Sequence, residues 1–244
     1  MAHFYLSEQV TGAAVGGRLL LAGDEGRHAA LVARLRVGER TTVGDGRGRV
    51  ATAEATAVSK DGVELEVVEV TDVPEPRPRI TLVQALAKGG RDELAVQAAT
   101  EMGVAAVAPW QAARSVTRWE GRKAETGAAR WAGIVREASK QAMRAWAATG
   151  LPLLSTAEVV SLAARIPTVV LDPDAAVRLV DAVPAPVEEL VLVVGPEGGI
   201  APDELERLTA AGGTAARLGP TVLRTSTAGP AALAALAVSL NLWP

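Results

Sequence analysis

The residues with the clearest chemical potential lie in the last third of the chain. An apolar run, Leu190-Val191-Leu192-Val193-Val194, empties into Gly195-Pro196-Glu197-Gly198-Gly199. Further on, Leu218-Gly219-Pro220 leads into Val222-Leu223-Arg224-Thr225-Ser226-Thr227-Ala228. Two glycine-bearing loops that end consecutive short strands suit a ligand held by backbone groups, because glycine brings the main chain close without a Cβ in the way. Free amides and carbonyls there can read an adenine edge. The spacing is not a dinucleotide fingerprint, and the Gly-Lys-Ser or Gly-Lys-Thr of a P-loop is absent. Gly44-Asp45-Gly46-Arg47-Gly48 is also glycine-rich, but it lies between strands and opens no helix, so it reads as a hairpin turn. Each of the two later loops alone could be a plain turn. Their pairing with Leu223-Arg224-Thr225 is what points to a binding site.

These loops need strands that end at one edge. Strands and helices alternate after residue 80: Ile80 to Leu86 and Val104 to Pro109 read as strands, as do Thr168 to Leu171 and Leu190 to Val194. Arg91 to Met102 reads as a helix with Leu94, Ala98 and Met102 on one face. Ala128 to Trp146 reads as a longer one, with Trp131, Ile134, Val135, Ala138 and Ala142 on its apolar side. Pro202-Asp203-Glu204 opens a helix with proline in the first turn and acids at the positive end of its dipole. Pro230 is expected to open a last helix through Leu240. Such alternation predicts a parallel sheet covered on both faces, with ligands beyond the carboxyl ends of its strands.

The earlier part reads as β structure. Thr41 to Val43, Val50 to Val58 and Val63 to Val67 are expected strands, with a turn at Ser59-Lys60-Asp61-Gly62. Val67-Val68 breaks the alternation and predicts a bulge or a strand buried on both faces. With a short helix from His28 to Leu35, these strands make a small barrel. Between the two parts, Val73-Pro-Glu-Pro-Arg-Pro-Arg79 has three prolines at alternate positions, which suit neither helix nor central strand. The expected division is therefore 1–72, a linker at 73–79, and 80–244.

Composition narrows the chemistry. The chain has 244 residues, no cysteine and two histidines, so thiolate and His-rich metal centres are not expected. No apolar stretch of about 18 residues and no secretory leader pattern is present, so a cytoplasmic protein without a membrane span is expected. The formal net charge of −3 argues against indiscriminate nucleic-acid binding. Local basic clusters remain, from Arg114 to Arg144 and from Arg27 to Arg49. They can touch RNA or can be solvated faces.

On these residues the chain resembles a known family. The segments are His28…Val32-Ala33-Arg34…Val37-Gly38, Gln84-Ala85-Leu86-Ala87-Lys88, Gln97…Glu101-Met102-Gly103-Val104, Pro109…Arg114-Ser115 and Trp131…Glu137-Ala138…Gln141…Arg144, together with the two glycine loops. The pattern is similar to the ribosomal RNA small subunit methyltransferase E family, within the SPOUT class of knotted methyltransferases, over nearly the full length. The resemblance implies an N-terminal PUA-like barrel and a C-terminal α/β domain with a trefoil knot. It implies S-adenosylmethionine as methyl donor, a homodimer, and methylation of N3 of a uridine in 16S rRNA of the small ribosomal subunit. The cofactor residues it implies are Leu171, Val194, Gly195, Pro196, Glu197 and Gly199, then Leu218, Gly219, Val222, Leu223 and Thr225. The RNA-contact candidates are His28, Arg34, Lys88, Arg114, Gln141 and Arg144. The chain departs from the family pattern at His3, Ala33, Ala98, Ala113, Lys140 and, in the last loop, at Ser226, where an acid is usual.

Methyl transfer to N3 needs an aligned displacement and a stabilised uracil anion. Arg224, directly after the second glycine loop, is the candidate for that charge; alternatively it ties its loop to Glu197. No general base stands out. Two other functions fit the pattern: a knotted methyltransferase of another RNA such as tRNA, and a non-catalytic RNA-binding assembly factor.

Overall fold

The computed structural model describes residues 3–184 and 186–243. They fall into two compact units: Met1–Glu75 with Ser139–Ala147, and Pro76–Ala138 with Ala148–Pro244.

The first unit carries β1 (Phe4–Leu6), β2 (Arg18–Ala22), β3 (Arg40–Gly44), β4 (Arg49–Ser59) and β5 (Gly62–Asp72). They form one sheet in the order β1-β3-β4-β5-β2, antiparallel except for the parallel pair β1 and β3. Period-two alternation decides its faces: Val63, Leu65 and Val67 are buried with Ala51, Ala53 and Ala55, while Glu64 and Glu66 face out. The expected bulge is present. Ala53 pairs with Val67 and Thr52 with Glu69, so Val68 is left over. The expected helix from His28 to Leu35 instead begins at α1 (Gly23–Arg27) and passes into a π-helical turn, His28–Val32. Arg34 at φ 55 ends it.

The second unit contains β6 (Arg79–Ala85), α2 (Arg91–Glu101), β7 (Ala106–Trp110), most of α3 (Arg122–Gln141), β8 (Thr149–Gly150), α4 (Thr156–Ala163), β9 (Thr168–Leu171), β10 (Val177–Arg178), β11 (Glu189–Val194), α5 (Pro202–Ala210), β12 (Thr214–Arg217) and α6 (Thr225–Ser239). Its seven strands run parallel in the order β10-β12-β9-β11-β6-β7-β8. Both faces are buried. Ile80, Leu82, Leu190, Leu192 and Val194 join the core containing α2 and α6, whereas Val83, Ala85, Val191 and Val193 join the core containing α4 and α5. Each such valine, leucine or isoleucine side chain contributes about 1.5–3 kcal/mol when fully buried, so these near-continuous apolar runs commit the strands to the middle of three layers.

Three expectations need revising at element ends. The long helix starts at Arg122, not Ala128, and stops at Gln141, not Trp146. Met143 at φ 49 reverses the chain, and residues 144–147 then run beside the β3–β4 turn of the first unit. Gly48 N–H donates to Ala145 O at 3.0 Å, and Ala147 N–H donates to Gly46 O at 3.0 Å. The Trp146 indole N–H donates to Val73 O at 2.8 Å. Ser139–Ala147 therefore belongs to the first unit, and the break between units falls at Glu75–Pro76, inside the proline segment. Finally, α6 begins at Thr225, so Pro230 lies inside it rather than at its start.

Candidate functional site

The two glycine loops follow β11 and β12, but those strands are not neighbours. β9 lies between them. Its exit, Leu171-Asp172-Pro173-Asp174, therefore sits between the two loops. The three strand ends enclose a cavity of about 540 Å³ in the second unit. Its walls include all the residues expected to hold a cofactor: Leu171; Val194 to Glu197 with Gly199; and Leu218, Gly219, Val222, Leu223 and Thr225. Arg224 and Arg114 line it too.

The first loop is braced on three sides. Inside it, Gly199 N–H donates to Pro196 O at 2.9 Å. A Cβ on Gly195 would lie 2.7 Å from the Ile200 side chain, so the backbone closes on itself only with glycine there. From one side, Arg114 Nη1 donates to Gly198 O at 3.0 Å and to Ile200 O at 3.4 Å. From another, Glu197 Oε1 accepts the Lys88 N–H at 3.1 Å and faces Arg91 Nη1 at 3.4 Å. From the third, Thr225 Oγ1 donates to Gly195 O at 2.8 Å. The Lys88 loop is itself held, because buried Asp92 accepts the Ala87 N–H at 3.2 Å, and burial pushes the Asp92 carboxyl above its usual range.

Arg224 is not the partner of Glu197; Arg91 is. Arg224 caps α6 through its backbone, with its carbonyl accepting the Thr227 N–H at 2.8 Å and the Ala228 N–H at 2.9 Å. Its side chain is exposed, makes no cap hydrogen bond and has no polar partner among the described residues. A guanidinium at the cavity wall is thus left for a ligand. The Thr225 hydroxyl is already engaged as donor and as acceptor, receiving Gln84 Nε2 at 2.8 Å.

The six RNA-contact candidates divide between the units. Lys88 and Arg114 are in the second; His28, Arg34, Gln141 and Arg144 are in the first. Lys88 has an exposed side chain, and Arg114 is committed to the glycine loop. His28 packs edge-on to His3 and Tyr5, at centroid distances of 6.0 and 5.9 Å. Arg34 and Gln141 are exposed, whereas burial lowers Arg144 to a pKa of about 10. Beside them, Lys140 pairs with Glu25 at 3.1 Å with both side chains 12% exposed. Lys140, one of the departures noted above, is therefore a structural cation of this unit.

Sequence reasoning missed Asp172, Pro173, Asp174 and Arg91 in the cavity wall, and Gln84 behind it. The first three carried a signal, since they directly follow a strand end in an open parallel sheet. Gln84 gave only its place in a resembling segment.

A parallel sheet with a loop-lined cavity beyond its strand ends is the ligand-binding layout of an α/β protein. The chain matches the RNA methyltransferase domain model over residues 74–237 and the RNA methyltransferase PUA domain model over residues 21–68. It is 46% identical to a ribosomal RNA small subunit methyltransferase E of Mycobacterium bovis, over 93% of this chain and 89% of the relative. It is 32% identical to the Bacillus subtilis protein of that name, over 91% and 90%. The crystal structure of a ribosomal RNA small subunit methyltransferase E from Neisseria gonorrhoeae bound to S-adenosyl methionine superposes with a TM-score of 0.86 at 29% identity, covering 100% of this chain and 98% of that one. The chain belongs to the ribosomal RNA small subunit methyltransferase E family. Its first unit is thus a PUA-like domain and its second the methyltransferase domain.

Proposed function

We propose that this protein transfers a methyl group from S-adenosylmethionine to N3 of a uridine in 16S rRNA. The observation that carries the reading is the cavity built from main-chain loops at the ends of β9, β11 and β12. Its 540 Å³ suits a ligand of nucleoside size. Leu171, Val194, Leu218, Val222 and Leu223 offer apolar walls to an adenine ring and ribose. Asp172 and Asp174 in the same wall suit the ammonium of the donor's amino-acid end. The residues present therefore fit the donor. A relative solved with S-adenosyl methionine adds weight.

When bound, the donor supplies a methyl group on an electron-poor sulfonium. The chain's own task is positional and electrostatic. The braced glycine loops hold fixed dipoles around the ligand and need little reorganisation. Methylation at N3 would require the N3 proton to pass to solvent, and the unpartnered Arg224 guanidinium would stabilise the resulting uracil anion. Glu197 is poorly placed to take that proton, because its Oε1 is already engaged by the Lys88 N–H and by Arg91. The target base must be unpaired or turned out of a helix, since N3 is otherwise hydrogen-bonded. The reading includes the homodimer, the cytoplasmic location and the trefoil knot expected from the resemblance.

Calorimetry with S-adenosylmethionine, followed by mass mapping of modified nucleosides in 16S rRNA from a deletion strain, tests the proposal. Heat of binding and loss of one N3-methyluridine are expected. An unchanged 16S map with a change in tRNA would redirect the substrate, and no heat of binding would leave an RNA-binding factor.

A further inference from the structure

Behind the cavity wall, three residues from three elements form one buried line. Gln84, near the end of β6, is fully buried in the sheet. Its Nε2 donates to Thr225 Oγ1 at 2.8 Å and to Ala85 O at 3.2 Å. Thr225, the first residue of α6, passes its own proton to Gly195 O at 2.8 Å. The direction is set by the last acceptor. A carbonyl needs a donor, so Thr225 must donate to Gly195 and accept from Gln84. Were the Gln84 amide reversed, its oxygen would claim the Thr225 proton and release Gly195.

The arrangement is costly for packing alone. Gln84 Oε1 is buried with no hydrogen-bond partner among the described residues, and an unmet buried carbonyl is unfavourable. A methionine would fill the same space without that unmet side-chain carbonyl. Thr225 in turn gives its hydroxyl to another loop rather than to its own helix terminus. What the line achieves is a connection between the two loops that face each other across the cavity. Gly195 begins the first, and Arg224, the residue before Thr225, ends the second.

We infer that the Gln84–Thr225–Gly195 hydrogen-bond relay is a positioning device that sets the cofactor loop and Arg224 in register with each other; the inference rests on the function proposed above. Arg224 is held by its carbonyl through α6 and by its neighbour through the relay, so the origin of its free side chain is defined from both directions. Gln84 and Thr225 act through other groups. The Gly195 carbonyl and the Arg224 guanidinium are the groups that meet ligand and substrate.

The test compares Thr225→Val, which keeps the shape and loses both hydrogen bonds, with Thr225→Ser, which keeps the hydroxyl. Gln84→Met removes the amide at similar length. Backbone hydrogen exchange is followed at residues 195–200 and 222–225, S-adenosylmethionine affinity by calorimetry, and methyl transfer in single turnovers. In Thr225→Val and Gln84→Met, exchange should quicken in both segments together, with affinity and transfer each falling about tenfold. Thr225→Ser should return to within about threefold of the parent, and the combined Gln84→Met/Thr225→Val variant should be no worse than its worse member, as for one shared unit. Exchange that quickens in one segment alone, losses that multiply in the combined variant, or a serine no better than valine would overturn the relay. If Gln84→Met does not fold, the Thr225 pair decides. A parent protein that takes up no S-adenosylmethionine would instead sink the proposed function, and the exchange comparison would still judge the relay.

Discussion

Arg224 and Tyr5 show how differently a residue's surroundings can use a polar group. Arg224 stands at a cavity with its charge unspent, so Arg224→Ala should cut methyl transfer about 100-fold while the melting temperature and cofactor affinity stay close to the parent's. Normal turnover in that variant would remove the role. Tyr5 is the opposite case: it is fully buried, its hydroxyl has no hydrogen-bond partner among the described residues, and burial, helped by the Glu25 charge, pushes its pKa up to about 12. The sign follows from linkage. The folded state favours the neutral phenol, so this contribution to stability is whole below the ordinary tyrosine pKa near 10 and is lost as pH rises towards 12. The chain has a single tyrosine, so its ultraviolet phenolate signal reports this group alone. The expected midpoint is about 12 in the folded protein and about 10 in urea; one midpoint for both states would refute the burial argument. At this scale the cavity residues on the two glycine loops were readable from sequence, because glycine loops after apolar strands state their position; Arg91 and the Asp172–Asp174 stretch were not. The partners of Arg114, Glu197 and Thr225 were not, because each lies far along the chain or on another element.

Elements end where tertiary hydrogen bonds end them. Periodicity carried the long helix on to Trp146, since tryptophan and alanine continue an apolar stripe. The structure reverses the chain at Met143 because Ala145, Trp146 and Ala147 have partners in the β3–β4 turn and at Val73. That turn has a glycine for a stated reason: Gly48 has φ 103, and a Cβ there would lie 2.7 Å from the Trp146 indole. Gly48→Ala should destabilise the protein by about 2 kcal/mol or more, seen as a lower urea midpoint; an unchanged midpoint would show that the turn accepts another backbone shape away from Val73 O and the indole. The corresponding test in the second unit is Gly195→Ala. The added methyl meets Ile200 at 2.7 Å, so the loop must open and S-adenosylmethionine affinity should drop at least tenfold by calorimetry. Affinity equal to the parent's would mean that the loop tolerates another shape. Here the sequence supplied the need for glycine, and packing supplied the neighbour that makes the need absolute.

For the molecule as a whole, an acidic chain that holds rRNA must do so through local cations, and those contacts release counterions. Affinity for an rRNA fragment should therefore fall steeply and linearly on a log–log plot between about 50 and 200 mM salt. A flat dependence would argue against phosphate contacts. Analytical ultracentrifugation should find the proposed homodimer, and a monomer at working concentration would withdraw it. The alternation of apolar runs, helix periods and glycine turns was enough to establish a β-rich first part, a parallel α/β second part and the loops that matter. These are local properties, written within a few residues by side-chain period and backbone freedom. Strand order was decided only in three dimensions. β9 enters between β11 and β12, which brings Asp172 and Asp174 to the cavity, and Ser139–Ala147 leaves its sequence neighbours for the first unit. Nothing within a short window encodes such choices, because they depend on which distant hydrogen-bond donors, acceptors and apolar faces remain unsatisfied until the chain meets itself.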